Sequence, residues 1–144
     1  MINDVFTASA VAGIVANIPV VILSYVLYRL NINKVFVWHI AATMFIENKD
    51  VNTAPGIILG AISDFVVAGF KGVIIGYLLY FTGFSFYLFK GLTVSLLFWI
   101  LVFGFILRMK ITGWDPVDPA TNLVHLAWHI ILGLLTAYFI VHVF

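Results

Sequence analysis

Four long apolar runs separated by short polar turns take up most of this sequence, and a soluble core would have broken them with amphipathic periodicity. The runs cover about Val5 to Tyr28, Gly56 to Phe81, Tyr87 to Leu107 and Leu123 to Val143. At ~1.5 Å of helical rise per residue, runs of about 20 residues match a hydrocarbon core ~30 Å thick. Composition agrees, because 64% of the 144 residues are hydrophobic and only 9% are charged, too few to cover a soluble domain. The expected fold is all-α: a polytopic membrane protein of four transmembrane helices plus one short interfacial helix, forming a single bundle over residues 1–144.

The interfacial helix is assigned to Val35–Ile46, whose 12 residues as a helix are too short to cross. Trp38 and His39 suit the headgroup level, where amphipathic rings are favoured. The polar stretch Glu47–Thr53 leads to Pro55, which stands near a helix start where its missing N–H does no harm. A tight turn at Thr82–Ser85 makes the second and third spans an antiparallel hairpin. Two Asp-Pro steps, at Asp115 and Asp118, break the helix in the long loop from Thr112 to Asn122.

Four crossings put Arg29, Lys34, Lys49, Arg108 and Lys110 on one side, with Lys90 the flanking cation opposite. The excess of basic residues in cytoplasmic loops therefore predicts both termini outside, N-out/C-out, in a cytoplasmic (inner) membrane. The N-terminal run lacks a basic leader and is longer than a signal's apolar stretch. It is expected to be retained, with Ser9, Ala10, Ala12 and Gly13 as a packing face.

Several function classes are set aside at this level. The scattered basic residues form no stripe for nucleic acid, and the absence of cysteine excludes disulfides and Cys-ligated metal. No nucleophile elbow, Walker loop, dinucleotide fingerprint or paired carboxylates occur, so no enzyme is expected.

Asp64 and Lys71 are the most informative residues, since each lies near the middle of an apolar helix where an ionised side chain costs at least ~2.5 kcal/mol. Seven residues at ~100° bring them within about 20° of one another and ~10.5 Å apart along the axis. They read either as a proton or ion relay or as charges partnered structurally, in a stretched pair or across to neighbouring helices. On the same helix, Gly56 and Gly60 form a small-x-x-x-small step on that face, and Gly72 and Gly76 form another, rotated by well over about 90°. These faces suit helices of the same subunit or of a second copy.

His125 and His129 stand one helical turn apart on the last span, with Asn122, Gly133 and Thr136 near the same stripe. The pair could contribute to a metal site, and His129 with His142 to haem, but further ligands are wanting, so no cofactor is assigned. In the first span Ala10, Gly13, Asn17, Ser24 and Tyr28 share an inward stripe, interrupted by Pro19, with Asn17 as interhelical glue. Asp115 and Asp118 read as turn and cap residues, Trp99 as a packing anchor and Trp114 as an interface anchor.

The runs GAISDFVVAGFKGVIIGYLL and FKGLTVSLLFWILVFGFIL, the proline-containing loop, and NLVHLAWHIILGLLTAYFI together resemble a group of small uncharacterised four-helix membrane proteins of spore-forming Firmicutes. The shared elements are the glycine-rich second helix, Lys90-Gly91 heading the third, Trp99 within it, and Gly133 in the last. This resemblance implies a four-helix fold in a bacterial membrane and no particular activity. It also implies that charges at Asp64 and Lys71 are particular to this chain.

The leading expectation is a non-enzymatic bundle that acts through association, as a homo-oligomer or as an accessory subunit of a membrane complex. Its partners are then the lipid bilayer and itself or another membrane subunit. The rivals are a proton or ion conduit or small transporter using Asp64, Lys71, His125 and His129, and a haem or metal redox subunit.

Overall fold

A computed structural model describes residues 4–109 and 118–143, and among these every regular element is helical. Helix α1 covers Val5–Arg29, α2 Val37–Ala42, α3 Ala54–Thr82, α4 Tyr87–Trp99 and α5 Pro119–His142. Helix α4 runs on without a break into a wider π-helical stretch, Ile100–Ile106. Four segments, α1, α3, α4 with its extension, and α5, are long and apolar enough to cross a membrane. With six residues, α2 is not. The expectations for Lys110, Trp114 and Asp115, and for the extreme termini, lie outside the described residues.

Local chemistry sets the helix ends. The Asp4 carboxylate accepts the Thr7 amide at 2.7 Å, the Thr53 hydroxyl accepts the Gly56 amide at 3.3 Å, and the Asp118 carboxylate accepts the Thr121 amide at 3.2 Å. Each satisfies a donor that the first turn leaves over, and Pro55 and Pro119 occupy first-turn positions where no donor is needed. At the other end of α3 the chain turns through Gly83 at φ 81°, and the Lys90 ammonium donates to the carbonyls of Thr82 at 3.2 Å and Gly83 at 2.7 Å. A cation there also complements the negative end of the helix dipole.

Hydrophobic transfer does little to hold helices together in lipid, so packing depends on close backbone approach at small residues. Helices α1 and α3 cross antiparallel at such a place. A Cβ on Gly72 would overlap the Ser9 carbonyl, one on Gly13 the Ala68 carbonyl, and one on Gly76 the Ser9 hydroxyl. A second antiparallel crossing joins α4 to α5, where a Cβ on Gly133 would come within 2.6 Å of the Gly91 carbonyl oxygen and of the Ser95 Cβ. Helix α1 also packs on α5, and α3 on α4, which closes the bundle. Outward faces such as Val66 and Phe70 stay more than half exposed and apolar, as lipid contact requires.

The Gly56/Gly60 face is taken up inside the subunit as well. Helix α2 lies across α3 so that a Cβ on Gly60 would overlap the Trp38 carbonyl, while Gly56 abuts the carbonyls of Asp50 and Val51. The sequence expectation for this segment is corrected in its length. The helix is confined to Val37–Ala42 and continues only as turns, and its inner side packs on α3. His39 is buried against Tyr28 and Phe36, with ring centroids 5.3 and 5.5 Å away, and Trp38 stands 6.4 Å from Phe65.

Two consequences can be checked. Gly72→Ala must prise α1 from α3 and should lower unfolding stability in detergent by about 1–3 kcal/mol. Gly104→Ala, whose Cβ meets only the Ile100 side chain at 3.6 Å, should not, and equal melting of the two variants would remove the close approach. The second concerns Asp118, whose carboxyl is held below the usual carboxylate range by the Thr121 hydroxyl and then the Thr121 amide. Its folded value is depressed, so its stabilisation of α5 is complete above the ordinary value of about 3.9 and is lost as pH falls through the folded value. Amide protection in the first turn of α5, taken relative to the intrinsic exchange rate at each pH, should fall in acid, and Asp118→Ala should abolish that pH dependence.

Candidate intramembrane polar site

The site forms where the two crossings bring polar residues of three helices, α1, α3 and α5, to one cavity of about 120 Å³. Asp64 and Lys71 enter from α3, at ~15 Å and ~26 Å along a helix ~43 Å long, so both lie well inside the bundle. Asn17 comes from α1, and His125, Trp128 and His129 come from α5. Phe98 of α4 and Phe103 of the π-helical extension close the fourth side, and Ile40 and Met44 close the end beneath α2. Apart from Ser63, whose hydroxyl donates to the Leu59 carbonyl at 2.6 Å, the remaining wall is aliphatic, so these polar groups face little else of their kind.

Asp64 and Lys71 do not pair with each other, since among the described residues the two salt bridges, Lys34 to Asp118 and Lys49 to Glu47, lie outside the spans. Each takes a partner from a different neighbouring helix. The Asn17 amide donates to an Asp64 carboxylate oxygen at 2.7 Å, and the Trp38 indole adds a longer-range polar interaction without a direct hydrogen bond. Lys71, only 2% exposed, places its ammonium 3.3 Å from the Nδ1 of His129 and 5.2 Å from the centre of the Phe98 ring. The ring face supplies a cation–π contact in a desolvated setting, where such contacts are strongest.

His129 is fixed by α4. Its Nδ1 also lies 3.0 Å from the Ser95 carbonyl oxygen, and the Ser95 hydroxyl donates to the His129 carbonyl at 2.6 Å. His125 lies one turn nearer the α2 end, with Phe103 tilted over it at 4.9 Å between centroids. Its Nε2 is buried without a hydrogen-bond partner.

All four relay candidates named from the sequence thus line one cavity, and Asn17 joins them. The four glycines Gly56, Gly60, Gly72 and Gly76 lie behind the site as intrachain packing positions. Asn122 turns elsewhere, accepting from the Trp99 indole at 3.1 Å, and Thr136 is buried in the other half of the bundle. His142 lies near the end of α5, 3.1 Å from the Tyr87 hydroxyl, so it shares no site with His129. Among the described residues, no three His, Cys, Asp or Glu side chains come together as a metal ion requires.

Sequence reasoning missed three parts of the site. Ser95 carried a signal, because it stands one turn from Gly91 on the small face of α4. Phe98 and Phe103 carried none in a helix so rich in aromatic and aliphatic residues. The widening of α4 at Ile100–Ile106 is marked in the backbone by the Leu107 amide donating to the Val102 carbonyl at 3.0 Å, five residues back. No residue pattern announces it.

No known protein family matches the sequence, and neither the curated proteins nor the solved structures contain a similar chain. The reading of the site therefore depends on its own chemistry.

The Asn17–Asp64 bond is a direct target. A double-mutant cycle with Asn17→Ala and Asp64→Asn should give a coupling of about 0.6–1.7 kcal/mol, the range of interhelical polar pairs in membranes. Strict additivity would mean that the two side chains do not meet.

Proposed function

We propose that this chain is a small membrane conduit or carrier for protons or small ions, with Asp64, Lys71, His125 and His129 as its polar pathway. The observation that carries this reading is the cavity itself. A carboxylate and an ammonium, unpaired with each other, line one space in the interior of the bundle. Ionisable groups at that depth are expensive, and their common use is to move ions or protons. The reading assigns no covalent chemistry to the chain.

Association as a homo-oligomer or as a subunit of a larger complex is less well supported than the conduit. Small size, near-absent loops and two glycine faces favour association, but both faces are occupied by α1, α2 and the turn before α3. Orientation belongs to the proposal too. Arg29, Lys34, Lys49 and Arg108 gather at the end of the bundle where α1 finishes and α3 begins, which by the positive-inside tendency faces the cytoplasm, N-out/C-out. A bacterial inner membrane is the setting implied by the resemblance to small Firmicutes proteins.

Flux into liposomes tests the conduit. Wild type should dissipate an imposed proton or cation gradient faster than empty vesicles, and Asp64→Asn and Lys71→Met should each reduce that rate at least tenfold. Background flux from the wild type, or equal flux from all three proteins, would remove it.

A further inference from the structure

The Nδ1 of His129 has two neighbours that make opposite demands on it. The Ser95 carbonyl oxygen, at 3.0 Å, can only accept, so that contact is a hydrogen bond only when Nδ1 carries a hydrogen. The Lys71 ammonium, at 3.3 Å, can only donate, so the second contact is one only when Nδ1 is bare. The Ser95 hydroxyl donates to the backbone carbonyl of His129, and Phe103 stands edge-on to the ring at 6.3 Å between centroids. Each arrangement is satisfied in one protonation state of the pair and violated in the other.

We propose that Lys71 and His129 together form the proton-loading site of this protein, taking up and releasing one proton as His129 changes tautomer. The proposal rests on the conduit reading and names the proton as the species bound. In the loaded state Lys71 is an ammonium donating to bare Nδ1, and the ring hydrogen is on Nε2. Release begins when a lysine N–H bond breaks and an Nδ1–H bond forms, leaving a neutral amine and an imidazolium. The imidazolium then gives its Nε2 proton to water in the cavity. The product is a neutral ring with Nδ1–H bonded to the Ser95 carbonyl, and the pair holds one proton fewer. Loading is the reverse: hydronium protonates Nε2, and the Nδ1 proton passes to the amine. Nothing but N–H and O–H bonds changes, so no oxidant or further reactant is needed.

The surroundings suit such a site. The cavity of about 120 Å³ has room for several waters, where one needs only ~10–15 Å³. The ionisable groups that act on the pair are Asp64 on α3 and His125 on α5. Helix α1 contributes the neutral Asn17, and α4 contributes Ser95 and Phe98. On α2, His39 is packed against Tyr28 and Phe36 instead.

The test is nitrogen NMR of histidine-labelled full-length protein in lipid nanodiscs between about pH 5 and 12, a range that brackets ordinary histidine and lysine titration. His129 is assigned by its loss in His129→Gln. In wild type His129 should shift from the Nε2–H to the Nδ1–H tautomer as pH rises, in step with loss of the Lys71 charge. Lys71→Arg, whose guanidinium keeps its protons, should hold the Nε2–H form throughout, and Lys71→Met should hold the Nδ1–H form. Should Lys71→Met fail to fold, Lys71→Arg alone decides. A single tautomer in wild type at every pH, or switching in Lys71→Arg like that of wild type, overturns the proposal. Liposome flux keeps the two readings apart. Switching without flux supports the loading site and removes the conduit, whereas flux sensitive to Asp64→Asn with a locked His129 retains the conduit and removes this pair.

Discussion

Two backbone contacts determine nearly everything else in this bundle: Gly13 and Ser9 against Gly72 and Gly76, and Gly91 and Ser95 against Gly133 and Ala137. Lipid is as apolar as leucine, so helices gain from touching only where their surfaces fit closely. Glycine and serine permit that fit, and the carbonyl contacts fix register as well as distance. On α1 the same antiparallel register, carried one to two turns beyond Gly13, brings Asn17 to Asp64. On α4 it sets Ser95 opposite His129 one turn from the Gly91–Gly133 contact. The polar site is therefore a consequence of where small residues stand, and any side chain that widened either crossing would pull its hydrogen bonds apart.

Within that frame the two charges solve their solvation separately. On one helix, ~10.5 Å apart along the axis, Asp64 and Lys71 are too distant for direct contact. Each must be stabilised from the side, Asp64 by an amide of α1 and Lys71 by a ring nitrogen of α5 and the Phe98 face. A compact ion pair would have been the lower-energy arrangement for structure alone, since opposite charges in contact offset part of each other's desolvation. Keeping them apart leaves a field across the cavity.

The sequence exposed this organisation unevenly. Hydropathy located the four spans, and helical spacing placed Asp64, Lys71, His125 and His129 on faces that do meet. Those features are local: one helix suffices to define a run or a stripe. The glycine steps were visible but their occupants were not, because a small face is the same whether a neighbouring helix of this chain or of another copy fills it. Here α2 fills the Gly56/Gly60 face, and nothing in Val37–Ala42 marks it as an inward-packing element apart from its shortness. The pairing of Lys71 with His129 joins residues 58 positions apart and depends on how α3 and α5 face one another, so spacing along the chain carries no trace of it.

The two departures from regular helix lie in the same half of the bundle, and they bound the same cavity. Four straight helices packed at glycine distances leave no room for solvent between them. Here α2 takes the place of a fully paired wall at the Gly60 end, so that Ile40 and Met44 face the cavity from below. Opposite, the π-helical turns from Ile100 widen α4 just beyond Ser95 and carry Phe103 over His125. Wide turns are poorer in geometry than α-helix and persist where packing over-determines them, frequently at functional sites. Val102, Phe103 and Ile106 of the π-helical stretch line the same cavity as Asp64. The tight glycine crossings make up one half of the bundle, and the irregular half borders the cavity beside the two buried charges.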